Sequence, residues 1–82
     1  MYIVPKILKV KALKEYKLLL EFENGEKKIF DMEKYINQKF YQKLKNRKYF
    51  ENVRSLGNTI EWENGEDVAP ENLYYDSVLV EE

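Results

Sequence analysis

One seven-residue phrase occurs twice in the chain and constrains the fold more than any other feature. Residues 20–26 read LEFENGE and residues 60–66 read IEWENGE. Each copy alternates apolar and acidic residues and ends in Asn-Gly, a pair that favours a two-residue β-hairpin turn because both residues tolerate positive φ. We therefore predict two hairpins, and a two-residue turn at 24–25 would place Leu19 beside Phe30.

The chain has 82 residues, which is the size of one domain, with a core over about 7–75 and a tail at 76–82. It contains no cysteine and no histidine. Disulfides, thiol nucleophiles, imidazole bases and nearly all transition-metal sites are therefore excluded, and we expect no cofactor and no metal ligand set. Without an apolar run of membrane-spanning length or a signal-peptide pattern, we expect a cytoplasmic protein that does not associate with membranes.

The first half of the chain alternates in strand fashion and then changes to helical spacing. Residues 7–13 and 16–23 alternate with a period of two, with Leu8, Val10 and Ala12 expected inward on the first strand. Asp31 is a predicted N-cap for a short helix with Met32, Tyr35 and Ile36 on its apolar side. We predict a second helix over 38–51, interrupted near Asn46, with Phe40, Leu44 and Phe50 facing inward.

The second half returns to strands, with predicted strands over 59–63 and 66–69 on either side of the second Asn-Gly. Pro70 suits the first position of a helix that turns Leu73 and Tyr74 inward. Residues 78–80 would add an edge strand or pair with another subunit. These patterns predict a small α+β domain of order β-β-β-α-α-β-β-α. Its antiparallel sheet is built from the two Asn-Gly hairpins, with short helices on one face.

A set of residues spread along the chain resembles a known bacterial family, the domain of unknown function 2442. The residues that carry the resemblance are Phe22, Gly25, Asp31, Phe40, Leu44, Phe50, Val53, Ile60, Trp62, Gly65, Asp67, Pro70, Glu71, Leu73 and Tyr74. It covers residues 7–75 and implies a small α+β domain, found alone or followed by a helix-turn-helix segment, sometimes in gene neighbourhoods suggestive of toxin–antitoxin modules. No catalytic residue is implied. The sequence ends soon after Tyr75, so we expect no helix-turn-helix segment here.

Charge is strongly segregated although the net charge is only −1. The most basic stretch carries Lys39, Lys43, Lys45, Arg47 and Lys48 among three aromatic residues. One interpretation is a helix that holds phosphates with its cations and stacks bases on its tyrosines. The other is a solvated helix face whose aromatic residues lie in the core, and it is favoured because arginine, the better phosphate ligand, occurs once.

Residues 61–82 carry eight acidic residues and no basic one. Glu61 and Glu63 are candidates for contact with a basic partner, although an alternating acidic strand is usually the solvated side of a sheet. No calcium-loop spacing is present. Trp62 is expected in the core, and Tyr75 is the candidate for an exposed aromatic contact because Leu73 and Tyr74 take the inward positions.

Three functions stay open on the sequence alone. The favoured one is a non-enzymatic binding or adaptor domain that contacts an unknown protein, either toxin-like or regulatory. The second is a nucleic-acid-binding module that uses residues 39–48. The third, an enzyme with a carboxylate-only site, is disfavoured because the hydroxyl residues sit in no nucleophile motif. Opposed charge blocks and an apolar tail also predict a homodimer.

Overall fold

A computed structural model describes residues 4–80, which form a four-stranded antiparallel sheet, a two-stranded ladder and short helices. The strands are β1 (Ile7–Ala12), β2 (Lys17–Phe22), β3 (Lys27–Asp31), β4 (Arg54–Ser55), β5 (Ile60–Glu61) and β6 (Val78–Leu79). The α-helices are α1 (Arg47–Glu51) and α2 (Pro70–Tyr75), and two 3-10 helices span Lys14–Tyr16 and Lys39–Lys45. The main sheet has the order β1-β2-β3-β6, and β4 pairs with β5.

The predicted α+β class is confirmed, and so is an edge strand at the tail, since Val78 pairs with Ile29 of β3. The second copy of the phrase does not join the main sheet, which corrects the prediction of one sheet built from both hairpins. After Gly65 the returning segment makes only one isolated bridge, between Glu61 and Asp67. A strand there is cut short because Pro70, which begins α2, has no N–H to donate.

The core lies between the inner face of the main sheet and the helices, and Trp62 is its largest fully buried side chain. The indole N–H of Trp62 donates to the carbonyl oxygen of Phe50 over 2.9 Å, and their rings stack with centroids 5.8 Å apart. The sheet contributes Leu18, Leu20, Phe22 and Phe30, and the helices contribute Leu44, Phe50 and Leu73. The prediction that Trp62 belongs to the core is therefore confirmed.

Both Asn-Gly hairpins have three-residue loops rather than the predicted two-residue turns. In the first, the N–H of Phe22 donates to the carbonyl of Glu26 over 2.9 Å, and only Gly25 of the loop has positive φ, at 90°. Such a loop is the type I turn followed by a glycine bulge, which Asn-Gly also satisfies. Phe30 consequently pairs with Leu18 instead of Leu19. The shift places Phe30 on the buried face, because a one-residue slip exchanges the two faces of a strand.

A bulge near the start of β1 overturns the prediction that Leu8 faces inward. Ile7 lies opposite Phe22 and Lys9 lies opposite Glu21, so Leu8 is the extra residue and is 63% exposed. Val10, opposite Leu20, and Ala12 stay half-buried against the core, as predicted. A bulge changes the alternation locally, so Ile7 and Val10 both reach the core although they are three residues apart.

The helical region differs from the prediction in helix type. Asp31 does cap a turn, since its Oδ1 accepts from the N–H of Glu33 over 2.9 Å, but residues 33–37 form turns and not a helix. Residues 39–45 form a 3-10 helix, in which residues three apart share a row. Tyr41 therefore shares the inner row with Leu44, whereas α-helical spacing would have brought in Phe40, which is 58% exposed.

The predicted interruption at Asn46 is confirmed. Its backbone is extended, with φ −74° and ψ 117°, and its side-chain oxygen accepts from the N–H of Tyr49 over 3.2 Å. The residue therefore ends the 3-10 helix and caps α1, which is a common role for asparagine.

The turn between β1 and β2 holds two consecutive residues in the left-handed region. Glu15 has φ 59° and Tyr16 has φ 57°. Tyr16 compensates by packing edge-on against Phe50, with centroids 5.1 Å apart, and by donating its hydroxyl to the carbonyl of Lys45 over 2.6 Å. Within residues 4–80, the side-chain contact of the exposed Glu15 is an ion pair with Lys17 at 3.4 Å, so its strain is largely uncompensated.

We expect Glu15→Gly to raise the free energy of unfolding by about 0.5–1 kcal/mol, because glycine adopts positive φ without a steric penalty. Urea denaturation followed by tryptophan fluorescence measures the change. The matched control is Tyr16→Gly, which relieves the same strain but removes the contacts with Phe50 and Lys45, and it should destabilise the chain. A Glu15→Gly variant no more stable than wild type would contradict the assignment of strain to this residue.

Candidate interaction surface

The basic stretch is placed at the surface, but not all of its cations are available. Lys39, Lys43, Lys45 and Lys48 are exposed. Arg47 instead donates from Nη1 to the carbonyl of Leu13 over 2.8 Å and from Nε to Glu51 over 3.0 Å. It therefore joins α1 to the end of β1, and its guanidinium is committed to the fold.

The tyrosines of this stretch are half-buried and pack against the core. Tyr41 donates to the carbonyl of Asp67 over 2.8 Å, and Tyr49 donates to Oε1 of Glu66 over 2.5 Å. Burial raises the pKa of Tyr41, with a smaller contribution from the charge of Asp67. Within residues 39–49, all of which the structure describes, Phe40 is the aromatic residue left exposed. This arrangement favours the interpretation of a solvated helix face over that of a base-stacking surface.

Two of the four carboxylates of residues 61–67, which we call the acidic hairpin, are engaged by contacts within the chain. Glu61 accepts from Nη2 of Arg54 over 2.8 Å, and Glu66 is only 6% exposed. Glu63 and Asp67 are exposed. Within residues 4–80, no three acidic side chains converge in a way that would hold a metal ion.

In each copy of the repeated phrase, the glutamate after Asn-Gly accepts a hydrogen bond from a tyrosine of a helix. Tyr74 of α2 donates its hydroxyl to Glu26, and Tyr49 of α1 donates to Glu66 at the equivalent position. The hydrogen bond from Tyr74 lowers the pKa of the Glu26 carboxyl, with help from Asn24. The same bond raises the pKa of Tyr74, whereas for Tyr49 burial raises the pKa most and the bond to Glu66 adds to it. These carboxylates hold helices to hairpins.

Helix α2 places Tyr75 at the surface, where it is 54% exposed, as the sequence predicted. The predicted inward positions are also observed, since Leu73 is buried and Tyr74 packs against Phe22 with ring centroids 5.1 Å apart. Lys28 covers the other part of Tyr74, with Nζ 3.9 Å from the ring centroid. A contact role for Tyr75 stays a prediction.

The sheet face opposite the core, which we call the outer face, carries an apolar row that continues across three strands. Leu19, Ile29 and Val78 lie side by side because Leu19 pairs with Ile29 and Ile29 pairs with Val78. Leu19 and Ile29 are half-buried and Val78 is exposed. The sequence placed Leu19 beside Phe30, whereas the observed register places it beside Ile29 on this outer face.

The outer face ends in a depression between β1 and β4, which we call the outer groove. Its volume is about 560 Å³. Its lining residues are Leu8, Lys9, Val10, Lys11, Leu19, Glu21, Val53, Arg54 and Ser55. β4 is fixed beside β1 because Ser55 donates its hydroxyl to the carbonyl of Ile7 over 2.8 Å. Sequence reasoning missed this site because the bulge that exposes Leu8 and the position of β4 are both set by tertiary contacts.

The fold and this surface define a small α+β domain that packs one face of its sheet and leaves the other open. The chain matches, over residues 7–78, the model of the family described as a protein of unknown function (DUF2442), and it belongs to that family. The comparisons found no match among curated proteins or solved structures. Among the described residues, no helix is both long enough and apolar enough to cross a membrane.

We expect the chain to lose stability above about pH 10, the ordinary pKa of tyrosine. Because the folded-state pKa of Tyr49 is raised, its contribution is fully present below the unfolded pKa and is lost as the pH rises through the folded one. Tyr49→Phe should cost about 1–2 kcal/mol at neutral pH, since Glu66 loses its donor, and should flatten the alkaline decline. Urea denaturation at several pH values measures both effects, and a decline parallel to wild type would rule out Tyr49 as a cause.

Proposed function

We propose that this chain is a small protein-binding domain that acts as a regulatory or antitoxin-like partner of another protein through its outer groove. The observation that carries the proposal is the exposure of Leu8 beside Val53 and Leu19 in a concave site. Apolar side chains grouped in a depression are typical of protein contact sites, whereas single exposed apolar residues are ordinary.

The bulge in β1 supports a contact role for Leu8. Regular alternation with Ile7 inward would already place Leu8 outward, but it would then carry Val10 to the outer face as well. The bulge between Ile7 and Lys9 keeps Val10 against the core while Leu8 stays exposed at the rim of the groove. Bulges are frequent where a strand directs a side chain toward a functional contact.

The charges around the groove favour a protein over a nucleic acid. Lys9, Lys11 and Arg54 line it together with Glu21, and Glu61 accepts a hydrogen bond from Arg54. Interspersed charges of both signs suit a polar rim around an apolar centre, and the described lining has no aromatic residue on which a base would stack. The antitoxin-like role is supported by the gene neighbourhoods that the family resemblance implies, and it is the more specific part of the proposal.

A tagged copy of the chain would be cross-linked to its partner in the native host, and the partner would be identified. The complex would then be reconstituted from the two purified proteins. We expect Leu8→Asp to weaken binding by about tenfold or more, equivalent to at least about 1.4 kcal/mol, because a charge replaces an apolar contact. The measurement is isothermal titration calorimetry. The variant's circular dichroism should match wild type, since Leu8 is exposed.

Phe40→Asp is the matched control, because Phe40 is similarly exposed but lies on the basic stretch. It should leave the affinity unchanged. If Phe40→Asp weakened binding and Leu8→Asp did not, the contact surface would be the basic stretch. Retention on DNA that disappears with Lys43→Glu plus Lys48→Glu would favour the nucleic-acid alternative; Arg47 is left intact because it supports the fold.

A further inference from the structure

We infer that the outer groove binds an extended segment of the partner in which acidic side chains alternate with apolar ones. This inference rests on the proposed function and specifies the chemistry of the partner. Three observations carry it: the surplus of positive charge, the stretch of β1 that forms one side of the groove and the spacing of its two lysines.

The positive charge of the groove is only partly neutralised by the residues that the structure describes. Among residues 4–80, neither Lys9 nor Lys11 has a carboxylate partner, whereas Arg54 is paired with Glu61 and Glu21 lies 3.9 Å from Lys27. Two lysines are therefore left to meet incoming carboxylates at the edge of an apolar surface. Such rim charges steer association and select against partners of the same sign.

The outline of the groove fits a chain in extended conformation. Four consecutive residues of β1, from Leu8 to Lys11, form one side, and residues 53–55 form the other. At a strand rise of about 3.3 Å per residue, this side is roughly 10–13 Å long, which is the length of three or four extended residues.

The spacing of Lys9 and Lys11 matches the repeat of an extended segment. They stand two residues apart on β1, opposite Glu21 and Leu19 respectively, and so share the outer face. Their separation along the strand is about 6.6 Å, the distance between alternate side chains of an extended peptide. Carboxylates at every second position would meet the lysines while the intervening apolar side chains turn toward the opposite wall, where Val53 lies.

Two other occupants fit the site less well. A second copy of the chain that offered its acidic hairpin would present Glu63 and Asp67, because Glu61 and Glu66 are bonded to Arg54 and Tyr49. The apolar residues that alternate with these acids, Ile60 and Trp62, are fully buried and could not enter the groove. A single-stranded nucleic acid would find a lining without aromatic residues on which to stack its bases. Both are outcomes that the following experiment distinguishes.

The probe is a set of three synthetic peptides of about eight residues in which leucine alternates with glutamate, glutamine or lysine. Binding to the full-length isotope-labelled chain is followed by amide chemical shifts. We expect the glutamate peptide to shift the amides of residues 8–11 and 53–55, and to bind several-fold more weakly when salt is raised from about 0.05 to about 0.3 M. The glutamine and lysine peptides should bind about tenfold more weakly or not at all.

The variant pair Lys9→Glu plus Lys11→Glu should lower the affinity for the glutamate peptide by about tenfold, and Lys43→Glu plus Lys48→Glu serves as the charge-matched control with no effect. Equal binding of all three peptides, shifts confined to residues 39–48, or equal binding of oligothymidylate would overturn the inference. A dimer in sedimentation that Leu8→Asp converts to a monomer would also overturn it, because the groove would then be covered by a second copy. If the native partner needs Leu8 but is insensitive to the lysine pair, the proposed function stands and the acidic segment is wrong.

Discussion

The structure depends on the contact between Trp62 and Phe50. The indole N–H of Trp62 satisfies the carbonyl of Phe50, at the end of α1, and the two fully buried rings stack. Phe50 in turn supports Tyr16 in the strained turn between β1 and β2. One buried pair therefore joins the second copy of the repeated phrase, the helical segment and the main sheet. Since a buried indole N–H is costly to leave unpaired, this contact fixes one arrangement of the three parts.

The two copies of the phrase share a local solution but have different surroundings. In both, the glutamate after Asn-Gly accepts a tyrosine hydroxyl, from α2 at Glu26 and from α1 at Glu66. The first copy becomes the central hairpin of the sheet, because residues 27–31 continue as a full strand. In the second copy, four residues separate Gly65 from Pro70, and this returning segment makes a single β-bridge, between Asp67 and Glu61. The same type of loop thus joins two strands of the main sheet in the first copy, and in the second it lies against α1 through the bond between Glu66 and Tyr49.

The α+β class, the hairpin positions, the break at Asn46 and the burial of Trp62 follow from alternation, turn residues and size, and the sequence predicts them. What it could not predict depends on small differences in energy. Two- and three-residue loops both accept Asn-Gly, and burial of Phe30 decides between them. Because residues 39–45 form a 3-10 helix and not an α-helix, Tyr41 packs against the core in the place predicted for Phe40. Of the candidate interaction residues, the lysines and Tyr75 lie at the surface, but Arg47 is committed to the fold. The outer groove depends on the bulge at Leu8 and on the position of β4, both of which tertiary contacts set.

The shortness of β6 has a consequence for the behaviour of this protein in a crowded solution. The strand is two residues long and stands at the outside of the sheet, with Asp76 nearby in the chain. A foreign strand that stacked against it would gain few backbone hydrogen bonds and would meet negative charge. Edge-to-edge growth into amyloid-like fibres is thereby discouraged at β6, although Val78, at the end of the apolar row, is itself exposed to solvent.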